Sequence, residues 1–303
     1  MPQTVDERSP EQVWEKLCIE ASAVIQREPV LASYIYNCVL THDSLGSALS
    51  VILANKLADE VMSAVVLREL FEDAFQADQE LLAAASADIR AVFERDAATD
   101  SYLPVILYLK GFQSIQSHRL ANHLWTQGRR DLATFIQSRN AQVFTVDIHP
   151  GCTLGRGIMF DHATGIVIGE TCVIENDVSL LQNVTLGGTG NEQGDRHPKV
   201  RSGVLISAGA KVLGNIEIGR GAKVGAGSVV LADVRRRPRL RDGDDAFREH
   251  PRERHLRGRR VVFLGHVPNL GHVRDGVARD GCVRHQLVAV AVGVFAVLQW
   301  LYA

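Results

Sequence analysis

The first part of the chain has apolar residues at helical spacing. In the segment 81–93, leucine, alanine, isoleucine, valine and phenylalanine fall on one face of a helix with 3.6 residues per turn. Ser9, Pro10 and Gln12 supply an N-cap hydroxyl, a first-turn proline and a capping-box partner, so they predict the start of the first helix. We therefore predict an all-helical domain over residues 1–145.

The apolar pattern then changes to a period of six, which is neither a helical nor a simple strand period. The series is Ile148, Leu154, Phe160, Ile166, Cys172, Val178 and Val184, then Ile206, Val212, Ile218, Val224 and Val230. A repeat at fixed spacing predicts a solenoid whose stacked units share one core. Three hexads make one triangular turn of about 18 residues, with strands of successive turns roughly 4.8 Å apart. We predict a left-handed parallel β-helix over 146–234, so the fold class is α+β.

The two series are separated by 22 residues, which is not a multiple of six. The intervening chain must therefore leave the solenoid. It contains the polar, glycine-bearing segment TGNEQGDRHPK, which is typical of a loop on a rigid scaffold. We predict a loop over about 187–203.

Composition narrows the possible functions. The 303 residues are 46 % hydrophobic and carry a formal net charge of -2, so there is no global positive field that would attract nucleic acid. The five cysteines are an odd number at scattered positions without metal-type spacing, and the opening segment lacks the features of a secretory signal. These features predict a cytoplasmic protein with reduced thiols.

Three histidines lie in the repeat region, namely His149, His162 and His197. Imidazole is the side chain best suited to accept a proton at neutral pH. Asp147 precedes His162 by 15 residues, three short of a full turn, and three extended residues span at most about 10 Å. The two side chains could therefore meet on adjacent turns as a His–Asp dyad, in which the carboxylate orients the imidazole.

Several motifs resemble the serine acetyltransferase family. In the repeat region these are FDHATGIVIGE, VTLGGTG, DRHPK and GNIEIGRGAKVGAGSVV. In the helical region SLGSALSVILANKL, ERDAATD and YLKGFQSIQSHRLANHLW resemble the N-terminal domain of that family. The resemblance covers about residues 10–234. It implies transfer of an acetyl group from acetyl-CoA to L-serine, the first step of cysteine biosynthesis.

The resemblance also implies roles for individual residues. His162 would be the catalytic base and Asp147 its partner. Asp96 and Asp161 would contact the serine substrate, where a carboxylate suits the ammonium group, and Arg196 and His197 would bind its carboxylate. Candidate contacts to CoA are Gly188, Thr189, Ala208, Lys223 and Ala226. No metal is expected. The family shares its cleft between subunits, which implies a homotrimer or a dimer of trimers.

Three rival functions stay open on the sequence. An acetyltransferase for another hydroxyl substrate would share the repeat, but it would lack the helical domain and the pair Asp96 and Asp161. A γ-type carbonic anhydrase would bind zinc through three histidines on the same type of solenoid. A non-catalytic scaffold would regulate a partner enzyme without needing both Asp147 and His162.

The tail over 235–303 departs from the family. It contains 14 arginines and no lysine. A shifted reading frame in a GC-rich gene is our preferred explanation, with a basic arm for an acidic partner or a disordered segment as rivals. The 17 residues LVAVAVGVFAVLQWLYA sit at the lower limit for a membrane span, and we expect no membrane anchor. Family members dock their C-terminus into O-acetylserine sulfhydrylase, and we expect that this tail does not.

Overall fold

A computed structural model of the chain describes residues 9–190 and 193–235. The arginine-rich tail from residue 236, its apolar segment 287–303 and Cys282 lie outside the described residues. The frame-shift, membrane-anchor and sulfhydrylase predictions fall there and stay predictions. Within the described ranges, no helix combines the length and the apolar character that a membrane crossing requires.

The helices occupy the first half of the described chain. They are α1 (Pro10–Arg27), α2 (Ala32–Ile35), α3 (Leu45–Leu57), α4 (Ala64–Ala77), α5 (Gln79–Arg95), α6 (Leu103–Tyr108), α7 (Lys110–Thr126) and α8 (Arg130–Phe144), with a 3-10 turn at Pro29–Leu31 and a π-helical turn at Tyr36–Leu40. Ser9 Oγ accepts a hydrogen bond from the N–H of Gln12 at 3.4 Å, which confirms the predicted start of α1. Ser44, Ser63 and Asp78 cap α3, α4 and α5 in the same way.

The strands follow as short segments of two or three residues. They are β1 (Val146–Ile148), β2 (Thr153–Leu154), β3 (Met159–Asp161), β4 (Ile166–Ile168), β5 (Val173–Ile174), β6 (Ser179–Leu181), β7 (Thr185–Gly187), β8 (Lys199–Val200), β9 (Leu205–Ile206), β10 (Lys211–Leu213), β11 (Glu217–Ile218), β12 (Lys223–Val224) and β13 (Val229–Val230). All pair in parallel, in the orders β1-β4-β7-β10-β13, β2-β5-β8-β11 and β3-β6-β9-β12. Every third strand therefore stacks on one face, as in a left-handed β-helix.

The register corrects the predicted unbroken spacing of six. Val167 pairs with Thr185, an offset of 18, as expected for a regular turn. In the first coil, however, Ile148 pairs with Ile168 rather than with Ile166, an offset of 20. Since β3 also pairs with β6 at an offset of 20, the two extra residues lie between β3 and β4.

The six-residue series hides this insertion because each hexad buries two apolar positions that are two residues apart. Val146 and Ile148 are both buried, and so are Ile166 and Ile168. A two-residue insertion therefore moves the series from one buried column to the other without interrupting the period. The loop between β7 and β8 likewise adds eight residues, since Thr185 pairs with Lys211 at an offset of 26. The chain rejoins the coil at Lys199, within the segment 187–203 predicted as loop.

Helix α7 covers the open end of the first coil, where no earlier coil pairs with the strands. Its polar side chains donate to backbone carbonyls of that coil. His118 Nε2 lies 3.2 Å from the carbonyl oxygen of Cys152, and Asn122 Nδ2 donates to Pro150 and Cys152 at 2.8 and 3.1 Å. Arg119 donates to the carbonyl oxygen of Gly155 at 2.8 Å. These bonds satisfy an edge that would otherwise bury unpaired backbone groups.

Four cysteines lie in the described part of the chain, and all of them are free thiols. Burial raises the pKa of Cys172 to about 12 and raises that of Cys152 well above its usual range. Both thiols face the solenoid core and stay protonated at neutral pH, so they act as small apolar side chains.

Candidate active site

His162 lies in the turn that contains the two extra residues of the first coil. His162 and Ala163 have positive φ angles of 55° and 60°, a conformation that costs non-glycine residues about 1 to 3 kcal/mol each. Bonds to neighbouring coils hold the turn, since Gly165 N–H donates to the carbonyl of Thr145 at 2.8 Å and Asn183 N–H donates to that of Thr164 at 2.7 Å. The turn therefore presents His162 in a conformation that its surroundings impose.

The imidazole of His162 projects into solvent, with 74 % of its side chain exposed. Its Nε2 lies 3.8 Å from Oδ1 of Asp161, the last residue of β3. Asp147 instead accepts a hydrogen bond from Gln137 Nε2 at 2.8 Å and is paired through its strand with Val167. Because the first turn has 20 residues, His162 is five residues short of the position above Asp147, and not three as the regular period implies. The dyad stays a prediction.

Asp96 lies at the C-terminus of α5, where it ends the helix. Its two carboxylate oxygens accept hydrogen bonds from the N–H of Ala98 and the hydroxyl of Thr99, both at 2.9 Å. The preceding residue, Arg95, donates to the carbonyl oxygen of Gly157 at 3.0 Å and forms an ion pair of 3.1 Å with Asp177. Arg95 therefore fixes the end of α5, and with it Asp96, against the solenoid.

Arg196 and His197 lie in the extruded loop and pack against the turn that follows β4. Arg196 Nη2 donates to Glu170 Oε2 at 2.8 Å, which lowers the pKa of Glu170. The hydroxyl oxygen of Thr171 accepts hydrogen bonds from the N–H groups of Arg196 and His197, both at 3.1 Å. Both loop residues are thus bound to one turn of the solenoid.

The ring of His197 is held in one tautomer. The backbone N–H of Thr171 donates to His197 Nδ1 at 3.2 Å, and the Thr171 hydroxyl lies 2.9 Å from the same atom. Nδ1 is therefore an acceptor, so the neutral imidazole carries its proton on Nε2. A Cβ atom at Gly169 would lie 2.0 Å from Nε2, so only glycine leaves room for the ring.

Electrostatics favour the neutral form of His197. Burial lowers its pKa, and the neighbouring Arg196 guanidinium lowers it further. Burial also lowers the pKa of His149, which lies on the preceding coil and packs edge-on against Trp125, with ring centroids 5.0 Å apart. At neutral pH, His197 is therefore an N–H donor, and the positive charge of this part of the site belongs to Arg196.

The candidate residues divide between two corners of the triangular coil. Corner A is the column of turns after β3, β6, β9 and β12, and corner B is the column of turns after β1, β4, β7 and β10. Corner A carries His162, and also Ala208 and Ala226, which stack one coil apart because Gly227 N–H donates to the Ala208 carbonyl at 2.8 Å. Corner B carries Gly188 and Thr189, with Arg196 and His197 packed against it. Lys223 is exposed on β12, which leads into corner A.

Sequence reasoning missed Glu170, Thr171 and Gly169, which hold Arg196 and His197 in place. They follow directly after the motif residues around His162, in the run Gly-Glu-Thr. Their signal is a polar pair at a solenoid turn, but only the folded loop shows which residues that pair contacts.

The described residues hold no group of three or more histidine, cysteine, aspartate or glutamate side chains arranged as a metal site. His149, His162 and His197 therefore do not converge in the manner that a zinc-binding carbonic anhydrase of this fold requires.

Comparisons with known proteins identify both halves of the described chain. Residues 13–117 match the family model "Serine acetyltransferase, N-terminal", and residues 197–232 match "Bacterial transferase hexapeptide (six repeats)". A serine acetyltransferase from Escherichia coli strain K12 is 58 % identical over 222 residues, which cover 73 % of this chain and 81 % of the relative.

Two solved structures extend the comparison to ligands. A soybean serine acetyltransferase complexed with serine is 53 % identical, with a TM-score of 0.74 over 76 % of this chain and 95 % of that one. A serine acetyltransferase from Brucella abortus strain S19 in complex with coenzyme A is 46 % identical, with a TM-score of 0.73 over 76 % and 90 % of the two chains.

Proposed function

The chain belongs to the serine acetyltransferase family, and on that premise we propose that His162 is the general base for acetyl transfer to the hydroxyl of L-serine. The enzyme uses acetyl-CoA as its co-substrate and produces O-acetyl-L-serine and CoA, the first step of cysteine biosynthesis. The observation that supports the base is the turn that displays His162, an exposed imidazole on a backbone held in a costly conformation. Such strained positions concentrate at functional sites.

The proposed reaction is a direct transfer. The neutral imidazole of His162 takes the proton of the serine hydroxyl while the oxygen attacks the thioester carbonyl carbon of acetyl-CoA. The tetrahedral adduct collapses, the carbon–sulfur bond breaks, and the imidazolium returns the proton to the departing CoA thiolate. No covalent acetyl-enzyme is required. Holding the two substrates in line can supply roughly 7 to 11 kcal/mol, more than the base contributes.

The serine zwitterion is bound from two directions. Asp161 and Asp96 supply negative charge for its ammonium group near His162. Arg196 supplies a charged donor for its carboxylate, and His197 Nε2–H supplies a neutral one. The neutral tautomer is the useful one, since it presents a donor while Thr171 saturates the other nitrogen.

A second subunit completes the site. Corner A and corner B are separated by β4, which is three residues or about 10 Å long, so His162 and His197 of one chain flank different edges of the solenoid. The candidate CoA residues divide in the same way. A threefold arrangement that places corner A of one subunit against corner B of the next brings both sets together. We therefore propose a homotrimer or a dimer of trimers, located in the cytoplasm.

A thiol-release assay with acetyl-CoA and L-serine tests the base. His162→Ala is expected to lower kcat by about 10²- to 10⁴-fold, the usual contribution of a positioned base. His123→Ala is the matched control, since His123 lies on α7 near Asp78 in the helical region. Serine-dependent CoA release that survives in His162→Ala would refute the proposed role.

The dyad is tested separately with Asp147→Asn. If Asp147 orients the imidazole in the assembled enzyme, the substitution lowers kcat and displaces the pH profile of His162. If Asp147 serves only to accept the hydrogen bond from Gln137, kcat is unchanged, and the dyad is rejected while the base stands.

A further inference from the structure

The exposed side chain of His162 makes its backbone responsible for its position. Its neighbouring carboxylate is 3.8 Å away, beyond hydrogen-bonding distance. The imidazole therefore depends on the turn 161–165 for its direction. That turn contains the two residues by which the first coil exceeds a regular one, so its conformation is not dictated by the repeat.

A single lysine of the helical region reaches this turn. Lys110 is the first residue of α7, and its Nζ donates to the hydroxyl oxygen of Thr164, two residues after His162. The same Nζ lies 3.4 Å from the hydroxyl oxygen of Thr145, just before β1. Thr145 already receives the N–H of Gly165 on its carbonyl. Lys110 therefore connects the His162 turn to the chain entering the first coil.

The position of Lys110 is itself fixed by its neighbour. A Cβ atom at Gly111 would lie 2.0 Å from the carbonyl oxygen of Phe160 on β3. Only a glycine allows α7 to approach the backbone of β3 this closely. The first turn of α7 is therefore in direct contact with the strand that leads into Asp161 and His162.

We propose that Lys110 is a positioning residue for the reaction, and that it holds the His162 turn in the conformation that directs the imidazole at the substrate hydroxyl. The proposal rests on the assignment of His162 as the base. Lys110 acts through Thr164 and Thr145 and is not required to touch either substrate. A small displacement of a catalytic group is enough to matter, because about 1 Å can cost 10²-fold in rate.

The chain offers a matched control one coil away. Lys211 Nζ donates to the carbonyl oxygen of Asn183 at 2.7 Å and to the hydroxyl of Thr185 at 3.0 Å. This lysine makes the same kind of contact to the corner A turn of the next coil, which carries none of the proposed catalytic residues. Loss of a general stabilising contact would affect both lysines alike, whereas loss of positioning would affect Lys110 alone.

The test compares Lys110→Met, Lys110→Arg and Lys211→Met in the full-length enzyme by steady-state kinetics with both substrates. Lys110→Met is expected to lower kcat about 10- to 100-fold while KM for serine and for acetyl-CoA stays within about twofold. Lys110→Arg is expected to recover at least half of the lost activity, and Lys211→Met to behave as wild type.

Three results would overturn the proposal. These are an unchanged kcat in Lys110→Met, an equal loss in Lys211→Met, or a rise in serine KM without a fall in kcat. Including His162→Ala in the same series separates the two proposals. If His162→Ala stays active, the assignment of the base fails, whereas an inactive His162→Ala beside a fully active Lys110→Met rejects the positioning role alone.

Discussion

Thr171 connects the two residues proposed to bind the substrate carboxylate. Its hydroxyl accepts the N–H groups of Arg196 and His197, and its backbone N–H fixes the tautomer of the imidazole. The residue therefore determines which nitrogen of His197 faces the substrate. It is a better target than His197 itself, because its replacement leaves every proposed ligand of serine in the protein.

Thr171→Val is predicted to raise KM for serine about tenfold, because the loop loses an acceptor for two N–H groups that then lack a partner. Thr171→Ser keeps the hydroxyl and is the matched control, with a KM close to that of wild type. Steady-state kinetics at saturating acetyl-CoA give both values. Equal KM values for the valine and serine variants would show that the hydroxyl does not position the loop.

His118 makes stability depend on pH. Burial lowers its pKa to about 3, whereas the ordinary value of 6.5 applies to the unfolded chain. Below pH 6.5 the unfolded chain binds a proton that the folded chain does not, so stability falls as the pH falls toward 3. Between pH 7 and pH 5 this amounts to about 2 kcal/mol.

Replacing His118 is predicted to remove this contribution. His118→Gln keeps a side-chain N–H for the carbonyl of Cys152, and His123→Gln, also on α7, is the control. Urea unfolding at pH 7 and pH 5 measures the difference in unfolding free energy for each variant. A pH dependence in His118→Gln as steep as in wild type would contradict the assignment.

At the scale of elements, a buried ion pair joins α5 and α7 to the first coil. Asp88 accepts Arg119 Nη2 at 2.7 Å, Gln116 Nε2 at 2.9 Å and the N–H of Ile158 at 2.8 Å, and both charged side chains are buried. Arg119 in turn donates to the carbonyl oxygen of Gly155. One carboxylate therefore links two helices and one coil of the solenoid.

Asp88→Asn is predicted to destabilise the protein by about 3 to 5 kcal/mol, because it leaves the Arg119 guanidinium buried without its counter-charge. Glu72→Gln is the control, since it breaks an exposed pair with Arg68 on α4 and should cost less than about 1 kcal/mol. Denaturant midpoints of the two variants give the comparison. Equal losses would mean that the buried pair contributes no more than a surface contact.

The period-six pattern predicted the solenoid, and the cap residues predicted the first helix, because both depend on local spacing. The insertion at His162 was not predictable in this way. Its two residues exchange one buried column for the other, and the apolar series from Phe160 to Ile166 continues across them. The same limit applies to Asp147, whose distance from His162 in the sequence was judged by the regular turn.

The partners of the loop residues were unpredictable for a different reason. Arg196 and His197 were found through a motif, but Glu170 and Thr171, which hold them, are 26 residues earlier and contact them only because the loop folds back over corner B. Lys110 and Thr164 are 54 residues apart and meet because α7 lies against the first coil. Such contacts follow from the packing of elements, which the sequence pattern of either element does not specify.

At the scale of the whole molecule, the division of the site between corner A and corner B determines how many chains an active site needs. Each chain carries one base and one carboxylate-binding set, on different edges of the same prism. In a closed threefold ring, each site takes His162 from one subunit and His197 from the next. A defect in one half can then be compensated by a neighbouring chain, which is impossible if a single chain forms the whole site.

Mixed trimers test this arrangement. When His162→Ala and His197→Ala chains are co-expressed with different tags, each alone nearly inactive, random assembly places two native halves together in about a quarter of the sites. Activity near a quarter of wild type is therefore expected. Co-expression of His162→Ala with the doubly substituted chain is the control and should restore nothing, because no subunit then supplies His162. Failure of the first mixture to exceed this control, with mixed trimers verified by both tags, would place each complete site within one chain.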